Sequence, residues 1–333
     1  MPAWLTCGVA GTRLDSSERA ELESIRPGGV VLFRRNVRTR EELVELVGEL
    51  RGLPSRPYVA IDLEGGRVNR IEPLIGALPP AAAAARGGPE AIEALGTALG
   101  AACAHFGIGV DYAPVLDVAR EGGHVGGEDR CFGSTAVEAA AAAGVCLAAI
   151  ERFGVAACLK HYPGLGSGAV DSHLQLPELG DEVRDECAAF DLLCSAERAV
   201  MVAHAVAPAL GDGLRPGSLS PLVVGRLTRR ACGPIIADDL EMGALGRFGT
   251  LGERAAAALL AGCDQVLVCN ALDARAGVVA HVESWAARSA ELAGAVSRCE
   301  ERVAGFGRRP LATVTWAEVV EAAELARAGG GGR

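Results

Sequence analysis

The sequence predicts an α/β fold, a single-domain (β/α)8 TIM-like barrel, from two observations. Eight short apolar runs recur along the 333 residues, with helical signals between them. The runs are apolar throughout rather than alternating, as strands of a parallel sheet covered on both faces must be. Alternating strands and helices can also build an open doubly wound sheet. A count of eight favours the closed barrel.

In chain order the runs are "LTCGVAG" (5–11), "GVVLF" (29–33), "YVAID" (58–62), "VDYAPVL" (110–116), "VAACLKH" (155–161), "VMVAHAV" (200–206), "PIIAD" (234–238) and "QVLVC" (265–269). After the second run, Thr39 and Glu42 form a capping-box pattern, and Leu43, Leu46, Val47 and Leu50 then share one helical face. Ser220-Pro221 supplies an N-cap and a first-turn proline. Gly262 stands where a glycine ends a helix before the eighth run. No linker rich in proline or serine divides the chain. One barrel domain is expected over 1–328, with terminal helices after about 271, and "GGGGR" (329–333) as a flexible tail.

Half of the residues are apolar, enough to bury a large core. The net charge is −10, with no basic stripe. That argues against nucleic acid and against an anionic membrane surface as partners. No run approaches the roughly 18 unbroken apolar residues of a membrane helix. The opening "MPAWLTCGVAGTRLD" lacks a basic region and a long apolar stretch, so no signal peptide is expected. Eleven scattered cysteines with no Cys-x-x-Cys read as reduced, mostly buried thiols, and the expected location is cytoplasmic. No metal motif and no cofactor fingerprint is expected. "GLGSGA" (164–169) fits a dinucleotide pattern formally, but Pro177 interrupts the turn that would have to become helix.

In a barrel, chemistry sits where strands end. The third run ends in "DLEGGRVNR" (62–70), the fifth in "KHYPG", the seventh in "ADDLEM" (237–242), and the sixth contains His204. Asp62, Lys160, His161, His204 and Asp238 therefore converge on one rim. Each alone has an ordinary structural explanation: Asp238 and Asp239 can cap a helix, and His204 can be a satisfied core histidine. Five at one end of the strands exceed what capping requires. Lys160 is the only lysine; the other long cations are all arginine. Asp171 and His173 lie two apart in an extended segment and can face the same way. An Asp bonded to one imidazole nitrogen raises the basicity of the other. The glycines of 164–168 read as a mobile loop carrying this pair opposite Asp238.

These blocks, in this order, resemble the family 3 glycoside hydrolases, and within them the single-domain β-N-acetylglucosaminidases of cell-wall recycling. The matching text is "GGVVLFRRN" (28–36), "AIDLEGGRVNRI" (60–71), "YAPVLDV" (112–118), "DRCFG" (129–133), "KHYPG" with "DSHLQLP", "VMVAH" (200–204) and "IIADDLEM" (235–242). The resemblance implies a nucleophile at Asp238 and a general acid/base at His173, supported by Asp171. It implies a sugar held by Asp62, Arg70, Arg130, Lys160, His161, His204 and Met242. It implies a small saccharide as partner, no cofactor and no metal, in a monomer or homodimer. Where the family usually writes "PGHGD" this chain has "PGLGS", with Leu165 and Ser167, so the loop position and the acceptor-side contacts depart from the pattern.

The implied reaction is retaining hydrolysis of terminal β-linked N-acetylglucosamine. Three other readings stay open on the sequence. Phosphorolysis could use the same site. A Schiff-base aldolase could use Lys160. A barrel that only binds saccharides could have lost activity with the loop changes.

Overall fold

The computed structural model describes residues 2–230 and 232–330. Eight parallel strands close into a barrel: β1 (Leu5–Gly8), β2 (Gly29–Leu32), β3 (Tyr58–Ile61), β4 (Val110–Asp111), β5 (Ala156–Tyr162), β6 (Ala199–Val202), β7 (Ile235–Asp239) and β8 (Gln265–Val268). Each pairs with its chain neighbours, and β8 pairs with β1 to close the ring. A helix follows every strand: α1 (Ser16–Ile25), α2 (Arg40–Arg51), α3 (Pro89–Phe106), α4 (Ala136–Glu151), α5 (Val183–Leu193), α6 (Pro221–Thr228), α7 (Leu251–Ala261) and α8 (Arg275–Ala286). Two more, α9 (Ala290–Val303) and α10 (Trp316–Gly330), follow, and shorter helical segments lie at Glu72–Ile75, Ala81–Gly87 and His124–Gly127.

The helix signals act as their chemistry requires. The Thr39 side chain accepts from the Glu42 amide at the start of α2, and Ser220 accepts from Val223 ahead of Pro221. Gly262 ends α7 at φ 113, a left-handed conformation that only glycine adopts cheaply. Gly329 and Gly330, expected in the tail, instead continue α10, while 331–333 lie outside the described residues.

The fourth run is shorter as a strand than its composition suggests. Only Val110–Asp111 is regular strand, and Pro114 has no amide to donate. Beyond the strand the Tyr112 amide still donates to the Ile61 carbonyl and the Ala113 carbonyl accepts from the Cys158 amide, and a bridge joins Val115 to Lys160.

Alternate side chains of the strands fill the barrel: Val31, Tyr58 and Ala60, Val110 and Tyr112, Cys158, Met201, Ile236 and Leu267. Near the N-terminal ends the filling turns polar. The Tyr58 hydroxyl lies 2.8 Å from Thr6 Oγ1 and donates to Gln265 Oε1 at 2.7 Å. Phe306, beyond α9, closes that end with its ring edge-on to Tyr58 at 5.4 Å. Around the barrel, α3 packs tightly on α4. A Cβ on Gly96 would sit 2.5 Å from the Cys146 carbonyl, so this contact needs a glycine.

The register slips at two places: in β5 between Leu159 and Tyr162, and in β7 between Ala237 and Asp239. Lys160 and His161 lie inside the first slip and Asp238 inside the second. Such irregularities turn side chains away from strict alternation and are common beside functional sites.

Candidate active site

A cavity of about 410 Å3 opens at the C-terminal ends of the strands. Its floor is made by Val31, Met201, Leu267 and Cys269. Asp62 and Arg70 reach it from the segment after β3, Arg130 from the loop after β4, Lys160 and His161 from β5, Asp171 and His173 from the following loop, and Asp238 and Met242 from β7 and beyond. Nine of the ten residues singled out in the sequence thus line one cavity. His204 is the exception. It is fully buried behind the wall, with Nδ1 2.7 Å from Ser218 Oγ and Nε2 donating to the Asp239 carbonyl at 2.9 Å. Burial lowers its pKa. His204 therefore holds the backbone of β7 rather than facing a ligand.

A cluster of ions fixes one side. Lys160 Nζ lies 2.7 Å from Asp62 Oδ1 and 2.6 Å from Glu64 Oε1, and its side chain is 2% exposed. Arg130 grips both Glu64 oxygens at 2.9 Å. Burial alone would lower the Lys160 pKa, but Asp62 and Glu64 outweigh it and raise it. Glu64 is likewise penalised by burial, yet Lys160 and Arg130 hold it well below the usual carboxylate range. A Schiff-base lysine needs a depressed pKa to act as a nucleophile. Lys160 has the opposite environment, which removes the aldolase reading. Arg70 lies over the Phe33 ring at 5.8 Å, and its buried Nε has no hydrogen-bond partner among the described residues.

Asp117 organises the next side. It is fully buried. Its Oδ2 lies 2.7 Å from His161 Nδ1, and its Oδ1 accepts from the His161 and Leu165 amides at 3.1 and 2.8 Å. One carboxylate thus orients the His161 ring and anchors the start of the loop. Glu186 of α5 accepts from the Gly166 amide at 3.0 Å and from Arg120 at 3.3 Å. Gly166 lies so close to Val118 that a Cβ would come within 1.9 Å of its carbonyl oxygen. Gly166, one of the glycines expected to make a mobile loop, is therefore required for close backbone approach. Leu165 is buried in the main core, and Ser167 Oγ is buried without a partner among the described residues.

The far part of this loop carries the dyad. His173 Nδ1 lies 2.7 Å from Asp171 Oδ1, and the His173 carbonyl accepts from the Gly243 amide at 2.9 Å. The His173 side chain is 70% exposed, open to an incoming ligand. Burial would raise the Asp238 pKa, but His161 and His204 hold it below the ordinary value. Burial, then the nearby Glu241, push Asp239 up to about 7. Of two adjacent carboxyls, Asp238 is thus the one whose charged form its surroundings favour. Glu128 lines the cavity too, paired with Arg67, with His124 at 3.3 Å and Arg130 at 3.4 Å. Among the described residues no cluster of His, Cys, Asp or Glu could hold a metal ion.

Sequence reading passed over Glu64, Asp117 and Glu186. Glu64 had a signal, since it lies two residues from Asp62 in an extended segment and shares its face. Asp117 sits in an apolar run, and Glu186 looks like a solvated helix charge. Neither stood out.

The glycosyl hydrolase family 3 N-terminal domain matches residues 6–301. The chain belongs to glycosyl hydrolase family 3. It is a glycoside hydrolase, and its relatives cover most of its length. A β-hexosaminidase of Methylococcus capsulatus is 37% identical over 289 residues, which are 83% of this chain and 85% of that protein. NagZ from Neisseria gonorrhoeae, solved with N-trifluoroacetyl-D-glucosamine, aligns with a TM-score of 0.76 at 29% identity over 97% of this chain and 98% of that one. A family 3 β-N-acetylglucosaminidase from Paenibacillus sp. str. FPU-7 aligns with a TM-score of 0.83 at 28% identity over 98% of this chain and 67% of that one.

Proposed function

We propose that this family 3 enzyme is a retaining β-N-acetylhexosaminidase that removes terminal β-linked N-acetylglucosamine from small saccharides such as cell-wall muropeptides. The observation that carries this is the meeting of the Asp171–His173 dyad and the ionised Asp238 in one cavity. Asp238 attacks the anomeric carbon while protonated His173 gives its proton to the leaving oxygen. Water then opens the glycosyl-enzyme, with neutral His173 taking the proton from the water. Retaining enzymes usually pair two carboxylates roughly 5 Å apart. Here an Asp-supported imidazole replaces one of them.

The sugar would be held by Asp62, Arg70, Arg130, Lys160 and His161, with Met242 as an apolar wall. The unpartnered Arg70 Nε is free to donate to a hydroxyl. Glu64 and Asp117 position these groups without touching the sugar. A reducing cytoplasm agrees with eleven free cysteines, ten of them buried. Among the described residues no helix is long and apolar enough to cross a membrane.

The test is turnover of aryl N-acetyl-β-glucosaminide, β-glucoside and β-xyloside side by side, with and without phosphate. Preference for the N-acetyl sugar and covalent labelling of Asp238 by a slow 2-fluoro sugar are expected. Labelling of Asp239 or Glu241, or a preference for glucoside, overturns the proposal. Formation of a sugar 1-phosphate would change the acceptor from water to phosphate.

A further inference from the structure

A second cavity, of about 690 Å3, lies at the opposite end of the barrel, beside the N-terminal ends of β3 and β4. Four of its side chains are arginines: Arg51 at the end of α2, Arg56 in the loop into β3, and Arg308 and Arg309 in the segment after α9. The chain as a whole carries −10, so this concentration of positive charge runs against the rest of the molecule. Among the described residues only Arg309 has a carboxylate partner, Glu197 at 2.8 Å, and both side chains are more than half exposed. Arg308 donates through Nε to the Arg56 carbonyl at 3.1 Å. Burial lowers the Arg308 pKa, and the group opposing this is the Tyr58 phenol rather than a carboxylate. The two deeply buried arginines Arg130 and Arg275 are neutralised by acids, Glu64 for the first and Glu18 and Glu21 for the second, whereas the basin arginines are exposed and three of the four have no such partner among the described residues. Glycines such as Gly107 and Gly307 supply part of the wall and leave the basin open.

Four guanidinium groups and one carboxylate leave about three positive charges facing a concave space. A single carboxylate ligand would answer one of them. A diphosphate or triphosphate answers most of them, because each planar guanidinium can grip phosphate oxygens in pairs. We propose that this basin binds a small polyphosphate group, either as inorganic pyrophosphate or as the phosphate chain of a nucleotide. The bound group bridges Arg51 and Arg56 on the barrel to Arg308 and Arg309 on the segment that follows the Phe306 plug. It therefore fastens the closed end of the barrel, and its effect falls on stability rather than on the distant rim where sugars react.

Calorimetric titration of the full chain at 0.15 M salt tests this with pyrophosphate, ATP and inorganic phosphate. Saturable binding of one pyrophosphate or ATP per chain is expected, at least about tenfold tighter than phosphate. The melting temperature should rise with the logarithm of ligand concentration. Arg51→Gln and Arg308→Gln should each weaken binding by roughly tenfold, since each removes charge-assisted hydrogen bonds. Both variants should keep wild-type kcat/KM on the aryl glycoside. ATP binding more tightly than pyrophosphate assigns a nucleotide; equal affinities assign the inorganic ion. No saturable binding at millimolar concentration overturns the proposal. So does undiminished affinity in the double variant, or stoichiometry above one with no preference over phosphate.

Discussion

Lys160 sits between two carboxylates in a space that admits an ammonium and little more. Its Nζ is 2.6–2.7 Å from Glu64 and Asp62, and Arg130 already occupies both oxygens of Glu64. A guanidinium there would need more volume and further acceptors. Lys160→Arg should therefore lower kcat/KM by about 10²-fold, the usual result of displacing a site by an ångström. If Arg keeps most of the activity, the lone lysine has no steric meaning. Lys160→Ala carries a second cost, since Glu64 then stays buried with Arg130 as its remaining cation. Breaking a buried pair costs about 3 kcal/mol, so its unfolding midpoint in denaturant should fall as well. His173 differs, being largely exposed and held by Asp171. His173→Ala should slow substrates with poor leaving groups by ~10²–10⁴-fold more than activated aryl glycosides, which need little protonation of the leaving oxygen. Equal losses on both would make His173 structural. Composition drew attention to Lys160, and the i, i+2 spacing to His173. The same spacing joins Glu64 to Asp62, but its role depends on Arg130, 66 residues away, which spacing cannot report.

At the scale of elements, the loop after β5 departs most from the expectation. Its glycines suggested mobility. The structure instead ties it to Asp117, to Glu186 and to the Val118 backbone. Those partners come from the loop after β4 and from α5, so no local pattern announces them. Glu186 also carries a pH signature. Burial first, then the neighbouring Asp117, push its carboxyl up to about 7. A carboxyl whose folded pKa exceeds its unfolded value binds more protons in the native state between the two. Stability on its account is then highest at acid pH and falls as pH rises from about 4.5 to 7. Glu186→Gln removes this titration and retains an oxygen for the Gly166 amide. The wild type should accordingly lose on the order of 2 kcal/mol relative to Glu186→Gln between pH 5 and pH 8. Urea midpoints at the two pH values check this. A constant difference between the two proteins would show that Glu186 is already ionised in the fold.

For the whole molecule, the two ends of the barrel divide stability from chemistry. The barrel itself was legible because eight apolar runs and their capping residues repeat in order. The closure of its lower end was not, since Phe306 lies in a short segment after α9 with no periodicity to mark it. That ring packs on Tyr58, whose hydroxyl is already committed to Thr6 and Gln265. The surroundings are thus held and cannot collapse readily into a gap. Truncating a buried Phe typically costs 3–5 kcal/mol through lost transfer energy and the cavity left behind. Phe306 retains 8% exposure, so Phe306→Ala should cost about 3 kcal/mol. Phe306→Leu, which refills most of the space, should cost less than half as much. Neither should change kcat/KM at 25 °C by more than about twofold, because residues at the N-terminal ends of barrel strands serve stability while those at the C-terminal ends carry the reaction. Denaturant unfolding and aryl glycoside kinetics on the same preparations measure both quantities. A fall in kcat/KM in folded Phe306→Ala would mean that the plug shapes the catalytic rim through the strands, and the division between the two ends would not hold.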